Sequence, residues 1–167
     1  MSRIVAWWCD SVFMAAARTS AGILLYRRVP SLEVLLAHMG GPFFARKDDG
    51  AWSIPKGEYG PDEDAFAAAL REFAEELGSP APSTQLVPLG SVRQANGKVV
   101  TAWAVEGDLD AAAIVSNTFD LEWPPRSGRV QSFPEVDRAA WFDLESARPK
   151  LVKGQVELLD RLAAALD

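Results

Sequence analysis

Three glutamates are spaced so that their side chains share one face of a helix. Glu72, Glu75 and Glu76 stand at positions i, i+3 and i+4, which are neighbours on a helical surface. Three carboxylates this close repel one another unless a cation neutralises them, and their hard oxygen atoms suit Mg²⁺ or Mn²⁺. The spacing therefore predicts a divalent metal site. The simpler alternative is a solvated acidic face on a surface helix.

The residues before the glutamates indicate a loop that leads into this helix. Gly57 and Gly60 permit backbone angles that other residues resist. Pro61 suits the first position of a helix, and the acidic residues 62–64 favour a helix N-terminus because they complement its dipole. We therefore expect the helix to begin at Pro61.

The same helix has an apolar side and a clear end. Its apolar residues recur at i, i+4, i+7 and i+11, which forms a stripe that faces a core. They are Phe66, Leu70, Phe73 and Leu77. Gly78 is typical of a helix C-terminus, and Pro80 prevents the helix from resuming. Arg71 lies four residues before Glu75 and is placed to hold that carboxylate.

This loop and helix resemble the Nudix box. Gly57, five residues, Glu63, seven residues and then the run from Arg71 to Gly78 meet every fixed position of that signature. The last position, usually aliphatic, is Ser79 here. A motif with this many specified positions at fixed spacing is highly specific. The resemblance extends from about Thr19 to the C-terminus and is closest to the predicted NTP pyrophosphohydrolase branch of bacterial Nudix proteins.

The resemblance implies a fold and a metal site. The fold is an α/β/α sandwich with a mixed β-sheet and a catalytic loop-helix-loop. Glu75 and Glu76 would be the main metal ligands, and Glu72 a further ligand or the base that activates water. The backbone carbonyl of Gly57 would also contact a metal. The implied cofactor is Mg²⁺, with Mn²⁺ as the alternative.

The resemblance also implies a reaction, the hydrolysis of a phosphoanhydride bond by water. Arg71 would orient the glutamates, and Glu63 would support the loop-helix-loop. Metal ions can lower the pKa of the attacking water and offset the charge that builds on the phosphate oxygens. Because coupled carboxylates titrate together, the sequence does not single out one base.

Composition describes one soluble globular domain. The chain has 167 residues, of which 49% are hydrophobic and 24% charged. The net charge of −6 argues against binding to extended nucleic acid, whose phosphates attract basic proteins. The lone cysteine, Cys9, excludes an intrachain disulfide and fits a reducing cytoplasm. We expect a cytoplasmic protein with a small nucleotide or polyphosphate ligand and no membrane partner, and the sequence is compatible with a homodimer.

The N-terminal residues 1–18 read as an extension to a single domain that spans residues 19–167. The apolar run 4–9 is far too short to cross a membrane, and Met14 reads as an alternative start. We expect the extension to be non-essential. The alternative is an added strand or helix that covers an apolar patch, since Trp7 and Trp8 would be awkward in water.

Apolar runs and turn signals predict strands that alternate with helices. The expected strands lie at residues 20–26, 32–37, 86–94, 99–106, 118–123 and the end of 135–142. Asn96-Gly97 is a strong hairpin turn signal. A loop is expected at 43–50, and the last helix lies within 146–167. This pattern suits a mixed sheet between helices.

Basic residues near the box are candidates for phosphate contacts. Lys56 directly precedes Gly57 and could meet a phosphate as a point charge. The alternative interpretation is that Lys56 is an exposed loop lysine without a ligand. Arg46 and Lys47 could clamp a polyphosphate, or could merely pair with the acidic residues 48–49 that follow them.

A later loop offers two more basic residues and an additional carboxylate. Residues 123–129 contain Arg126 and Arg129, whose guanidinium groups suit bidentate phosphate recognition. The alternative is a surface loop with solvated charges. Some Nudix enzymes supply a further glutamate from this part of the chain, which points to Glu135 as a metal ligand or base. Glu122 competes for that role.

One histidine and two tryptophans complete the candidates. His38 could contact a base or phosphate, although a packed or surface histidine is the simpler interpretation. Trp52 and Trp103 could stack on a nucleobase, but core packing is the default role of an aromatic residue.

The sequence therefore predicts a metal-dependent hydrolase that acts on a nucleoside diphosphate linked to another moiety. One alternative is a sanitiser of damaged nucleoside triphosphates. The other is a dinucleoside polyphosphate hydrolase, which is favoured by Pro55-Lys56-Gly57 at the start of the box. Substrate choice lies in the loops, so the fold does not decide between them. An alternative of another class is a non-catalytic nucleotide-sensing module, which would be expected to lose box glutamates.

Overall fold

The computed structural model describes residues 18–28, 30–82 and 85–167. The strands are β1 (Thr19–Arg27), β2 (Glu33–Met39), β3 (Trp52–Ser53), β4 (Lys56–Glu58), β5 (Leu86–Arg93), β6 (Val99–Glu106), β7 (Thr118–Glu122), β8 (Val130–Pro134) and β9 (Val136–Asp143). The α-helices are α1 (Ala65–Leu77), α2 (Leu144–Lys150) and α3 (Glu157–Leu166). The prediction of a non-essential N-terminal extension concerns residues that, up to position 17, lie outside the described part.

Strand β1 lies inside a mixed sheet. Within the described residues the strand order is β3-β2-β1-β6-β5, with β4 paired to β1 and β9 paired to β2. β1 and β6 run parallel, whereas the other paired strands of this sheet run antiparallel. One edge of β1 is shared, because β4 pairs with residues 20–22 and β2 with residues 26–27. This division places Gly57 opposite Ala21.

Alternate side chains of β1 enter two separate cores, as the two faces of a strand require. Ile23 and Leu25 pack in a cluster with the buried side of α1. Leu24 and Tyr26 pack in the cluster that contains buried residues of α2 and α3. The mixed sheet therefore lies between helices, and the α/β fold class predicted from the sequence is confirmed.

Helix α1 begins later than the sequence predicts. Asp64 is its N-cap, and the Asp64 side chain accepts a hydrogen bond from the backbone N–H of Ala67. A carboxylate that caps the helix in this way satisfies a backbone donor directly, so the prediction that Pro61 is the first helical residue is wrong. The predicted end at Gly78 matches the structure, since Gly78 has a φ of 79° and its N–H bonds to Ala74 O.

The C-terminal segment is divided rather than continuous. α2 contains Pro149 and is separated from α3 by a 3₁₀ turn at Lys153–Gln155. The interruption has a tertiary cause, because the N–H of Val152 donates to Trp52 O at 2.8 Å instead of to the preceding helical turn. In the described part of the chain, no helix combines the length and apolar content needed to cross a membrane.

A second, two-stranded sheet extends from the mixed one. β7 and β8 pair antiparallel with Thr118 opposite Pro134 at one end and Glu122 opposite Val130 at the other. The sequence indicates β7 but not β8, since β8 is largely exposed and lacks an apolar pattern that faces a core. This hairpin fixes where the later candidate residues lie.

Candidate active site

The carboxylate of Glu72 lies against the backbone of Gly57. Glu72 projects from α1 and is only 8% exposed. A Cβ atom built on Gly57 would lie 1.9 Å from Cδ of Glu72 and 2.0 Å from its Oε2. Any larger residue at position 57 would therefore displace this carboxylate, and the glycine of β4 is required by close approach.

Glu76 and Lys56 form the inner part of the site. The backbone N–H of Lys56 donates to Oε2 of Glu76 at 3.1 Å. Burial raises the pKa of the Glu76 carboxyl to about 8, while the nearby Lys56 ammonium acts in the opposite direction. Burial likewise lowers the pKa of Lys56, against the attraction of Glu76. Lys56 is thus half-buried beside the carboxylates rather than an exposed loop lysine.

Arg71 links three carboxylates of the loop and helix. Its Nε and Nη2 donate to the two oxygens of Glu63 at 2.8 and 3.1 Å. Its Nη1 donates to Glu72 at 2.7 Å and reaches Glu75 at 3.3 Å. The guanidinium lowers the pKa of Glu63, and the surrounding carboxylates raise the pKa of Arg71 itself. One guanidinium thus connects Glu63 with Glu72 and Glu75, and the orienting role of Arg71 and the supporting role of Glu63 stay predictions.

Glu135 is brought to the glutamates by a chain of backbone hydrogen bonds. The N–H of Asn117 donates to Glu75 O, the N–H of Glu135 to Asn117 O, and the N–H of Gly40 to Glu135 O, each at 2.9 Å. Burial raises the pKa of the Glu135 carboxyl, and the negative charges of Glu72 and Glu75 raise it further. The Glu135 side chain therefore faces the same region as the box glutamates.

Sequence reasoning missed two residues that form this connection, Asn117 and Gly40. The Asn117 side chain also hydrogen-bonds the Glu135 carboxyl and favours its charged form. Gly40 must be small, because a Cβ there would lie 1.9 Å from Pro134 O. The available signal was the Gly40-Gly41 pair shortly after the strand predicted at 32–37, which indicates close approach of backbone as well as a break.

Glu122, the competitor of Glu135, lies at the other end of the β7–β8 hairpin. Its Oε1 accepts a hydrogen bond from the N–H of Gly128 at 3.3 Å. In the register of the hairpin, Thr118 pairs with Pro134 beside Glu135, whereas Glu122 pairs with Val130 at the opposite end. The fold therefore brings Glu135 to the glutamates and leaves Glu122 at the hairpin tip.

The donor set fits a hard divalent cation, although the side chains are not gathered around one point. Among the described residues, no three acidic, histidine or cysteine side chains form a ready metal-binding group, and Glu72 and Glu75 turn towards Arg71. The oxygen atoms of Glu72, Glu75, Glu76 and Glu135 nevertheless lie within electrostatic range of one another. Carboxylate oxygens are the ligands that Mg²⁺ and Mn²⁺ prefer, and these residues could hold such an ion.

Arg46 and Lys47 lie exposed on the loop that follows β2. Their acidic neighbours Asp48 and Asp49 both pair with Lys150 instead, and Asp48 also accepts a hydrogen bond from Trp52 Nε1 at 2.9 Å. The loop residues 48–49 are therefore engaged with another part of the chain. Among the ion pairs of the described residues, none joins Arg46 or Lys47 to these aspartates.

Arg126 and Arg129 lie exposed at the tip of the β7–β8 hairpin. The tip packs on the loop after β2, since the rings of Phe43 and Trp123 meet edge-to-face with centroids 5.3 Å apart. The fold thus places both basic pairs on two adjoining loops. Neither pair is brought into contact with the box glutamates.

The lone histidine and the two candidate tryptophans are packing residues. His38 is fully buried, with Nδ1 2.7 Å from an oxygen of Asp137 and Nε2 2.7 Å from the backbone oxygen of Lys47. Trp52 is buried against His38 and Phe142. Trp103 is half-buried and contacts a phenyl ring of α1. The default core role holds for all three.

Comparisons with known proteins give a family and a fold. The NUDIX domain family model matches residues 16–162. A crystal structure of a C. elegans Ap4A hydrolase binary complex is 24% identical and covers 88% of this chain and 97% of that chain, with a TM-score of 0.60. The NUDIX domain of Shewanella oneidensis NrtR, solved with ADP ribose, is 18% identical and covers 91% and 90%, with a TM-score of 0.61. The Nudix hydrolase RenU from M. Smegmatis is 19% identical and covers 90% and 88%, with a TM-score of 0.56.

These structural likenesses establish the fold, because all three identities are below 25%. A search among curated proteins finds no match. The family model, by contrast, matches most of the chain, including the loop and helix that carry Gly57, Arg71 and the three glutamates. This protein belongs to the Nudix hydrolase family and is a hydrolase of pyrophosphate bonds.

Proposed function

We propose that this chain hydrolyses a phosphoanhydride bond in a nucleoside diphosphate-linked substrate, in the manner of an NTP pyrophosphohydrolase, and that it requires Mg²⁺ or Mn²⁺. The observation that carries the proposal is the packing of the Glu72 carboxylate against Gly57, with Glu75, Glu76 and Glu135 within electrostatic range of that carboxylate or of one another. Four carboxylates that face one region repel each other. A divalent cation is the partner that their oxygen chemistry suits.

The proposed site is held in place by the chain itself. The carbonyl of Gly57 and the carboxylates of Glu72, Glu75 and Glu76 would hold the metal, with Glu135 as a further ligand or base. A bound metal would supply a more acidic water and neutralise charge on the phosphate oxygens. Water attacks one phosphorus, and the bond from that phosphorus to the bridging oxygen breaks, so that two phosphate products leave.

Arg71 and Lys56 support this chemistry without taking part in bond making. Arg71 holds Glu72 and Glu75 through charge-assisted hydrogen bonds. The Lys56 N–H fixes one oxygen of Glu76, which leaves the other oxygen to face a ligand. The proton acceptor is one of the four glutamates. Because these carboxyl groups interact, they titrate together and no single one is assigned as the base.

Substrate contacts are proposed for Lys56, Arg46, Lys47, Arg126 and Arg129. A dinucleoside polyphosphate hydrolase is the first alternative, supported by the Pro55-Lys56-Gly57 lead-in and by the fold likeness to a C. elegans Ap4A hydrolase. A non-catalytic nucleotide-sensing module is the alternative of another class. The intact set of box glutamates favours an enzyme over that module.

The setting of the protein is also a proposal. A cytoplasmic location is supported by the single cysteine of the chain, and the net charge of −6 supports a small ligand over extended nucleic acid. We keep the homodimer as a prediction that sedimentation velocity tests. The non-essential extension is tested by a truncation that lacks residues 1–13, which should retain activity.

The test is hydrolysis with Mg²⁺ and then Mn²⁺ across nucleoside triphosphates, dinucleoside polyphosphates and nucleotide sugars, with products identified by mass. Glu75→Gln should abolish most turnover and weaken metal binding, while retaining the fold. Glu145→Gln is the matched control, since this exposed glutamate lies in the first turn of α2. Turnover that needs no metal, or that survives in Glu75→Gln, would contradict the proposal. Nucleotide-induced thermal stabilisation without turnover would favour the sensing module.

A further inference from the structure

A single buried amide joins the 3₁₀ turn before α3 to the short connection between β3 and β4. Gln155 lies on that turn, and its side chain is fully buried. Its Oε1 accepts a hydrogen bond from the N–H of Ile54 at 2.9 Å, and its Nε2 donates to Oγ of Ser53 at 2.9 Å. The hydroxyl of Ser53 in turn donates to Ile54 O at 2.8 Å. One side chain therefore links two segments that are 101 residues apart in the chain.

The connection contains few backbone groups that could hold it in another way. β3 ends at Ser53 and β4 begins at Lys56, so that Ile54 and Pro55 lie outside both strands. Pro55 has no N–H, and its carbonyl accepts from the N–H of Ile23 at 3.1 Å. The N–H of Ile54 is therefore the one backbone donor of the connection, and its acceptor in the described part of the chain is Gln155. This bond also fixes which end of the Gln155 amide faces Ile54, because an N–H donates only to the oxygen.

The connection leads directly to the contacts that β4 makes with the glutamates of α1. The backbone N–H of Lys56 donates to Oε2 of Glu76 at 3.1 Å, and the Glu72 carboxylate lies against Gly57. Only Pro55 separates Ile54 from Lys56, and the ring of Pro55 fixes its φ. A displacement of Ile54 is therefore carried on to the N–H that holds Glu76.

Both sides of this link are packed at backbone distance. A Cβ on Gly22 of β1 would lie 2.6 Å from Pro55 O and 2.7 Å from Cβ of Lys56. The turn that carries Gln155 is equally close to the sheet, since a Cβ on Gly154 would lie 2.7 Å from Cα of Gln94. Because the turn and the connection each rest against the sheet, the hydrogen bonds of Gln155 set the distance between them.

We propose that Gln155 is a positioning residue of the active site, which sets the place of the Lys56 N–H and through it the place of the Glu76 carboxylate. The inference rests on the proposed hydrolase function. Gln155 does not contact Glu76 itself and acts through Ile54 and Lys56. Without its amide, the N–H of Ile54 loses its acceptor in a buried place, which is costly, and the connection shifts to regain one.

Gln155→Met tests this role, since methionine has nearly the length of glutamine but lacks the amide. The Kd for Mn²⁺, measured by calorimetry without substrate, should rise about tenfold, the lower end of the effect of residues that orient metal ligands. At saturating Mn²⁺, kcat should fall about tenfold for the same reason. In native-state hydrogen exchange of the metal-free protein, the amide of Lys56 should lose protection because its acceptor is displaced.

Leu162→Ala is the matched control for a general loss of stability. Leu162 is fully buried in the core cluster that contains α3 residues, and its side chain has no polar group. Urea denaturation should show lower stability for both variants. Leu162→Ala should nevertheless keep the Kd for Mn²⁺ within about twofold of the parent and should protect the Lys56 amide better than Gln155→Met does.

Equal Mn²⁺ affinities in the two variants, or equal protection of Lys56, would overturn the positioning role and make Gln155 a residue of stability alone. If Gln155→Met does not fold, Ser53→Ala decides, because it removes the hydroxyl that orients the Gln155 amide and keeps the bond to Ile54. Ser53→Ala should raise the Kd for Mn²⁺ about threefold, the scale of one neutral hydrogen bond, and an unchanged Kd would overturn the proposal. Calorimetry and exchange need no turnover, so a parent protein that hydrolyses nothing would refute the proposed function separately.

Discussion

The carboxylate of Glu72 occupies the space that a side chain at Gly57 would need, with Glu72 Cδ only 1.9 Å from the position of a Cβ. Strand β4 and helix α1 meet at this contact, so it sets the distance between the backbone carbonyls of the loop and the glutamates of the helix. Gly57 and Gly60 both lie in the loop region before α1, yet only Gly57 is confined in this way.

Gly57→Ala should therefore lower kcat/KM on the order of 10²-fold, the cost of misplacing a reacting group by about 1 Å. The added methyl group must push Glu72 away from β4, while the rest of the core stays packed. Steady-state kinetics and circular dichroism would measure the two effects. Gly60→Ala is the matched control, because nothing lies within 4 Å of a Cβ at Gly60; an equal loss in both variants would contradict the argument.

Arg71→Lys should lower kcat about tenfold or more, because lysine cannot reproduce the fork of N–H donors that holds Glu63, Glu72 and Glu75. The charge is retained, so simple loss of a cation cannot account for the effect. Steady-state kinetics at saturating substrate would measure this loss of kcat. Arg161→Lys is the control, since Arg161 also binds a glutamate and backbone oxygens but lies on α3.

Glu135→Gln should lower kcat roughly 100-fold if Glu135 serves as base, the usual size of such a contribution. Glu122→Gln should leave kcat within about twofold, since its only described partner is the N–H of a hairpin residue. Parallel kinetic assays of the two variants decide between them. A larger loss in Glu122→Gln would reverse our assignment of the additional carboxylate.

Lys56→Gln should raise KM about tenfold while kcat changes little, because the proposed phosphate contact acts on binding of substrate. Lys56 also faces the buried carboxyl of Glu76, which offers a second role. Isothermal titration with Mn²⁺ separates the two. An unchanged KM with altered Mn²⁺ affinity would assign Lys56 to Glu76 alone.

Local signals predicted the glutamate-bearing helix well, since the spacing of Glu72, Glu75 and Glu76 and the end of the helix at Gly78 depend on residues near one another. The error at Pro61 is also local. Pro61 and the acidic residues after it suit a first helical turn, but the Asp64 side chain satisfies the N–H of Ala67 and begins the helix later. Both Pro61 and Asp64 are acceptable at a helix N-terminus, and the helix begins after Asp64 because its side chain caps the first turn.

Long-range pairing could not be predicted in the same way. The division of the C-terminal segment involves a hydrogen bond from the N–H of Val152 to Trp52 O. The two residues are far apart in the chain, so local sequence patterns do not predict this contact. The link from Glu75 through Asn117 to Glu135 depends on the register of the β7–β8 hairpin. The sequence nominated Glu135 and left Glu122 as its competitor, whereas the register of the hairpin brings Glu135 to the glutamates and leaves Glu122 at the tip.

His38 offers a test of stability that is separate from chemistry. Its two ring nitrogens bridge Asp137 on β9 and the backbone oxygen of Lys47, which ties the loop after β2 to the sheet. His38→Leu should lower the free energy of unfolding by about 2 kcal/mol, because the Lys47 carbonyl and the Asp137 carboxylate both lose a partly buried hydrogen-bond partner. Urea denaturation measures this loss.

The same variant should keep kcat within about threefold when assayed well below its melting temperature, since His38 makes no contact with the box glutamates in the described structure. Asp137→Asn is the control: it keeps an oxygen acceptor for the ring and should destabilise the protein less. If His38→Leu were as stable as the parent but lost most of its turnover, the histidine would contact the ligand, and its role as a packing residue would be wrong.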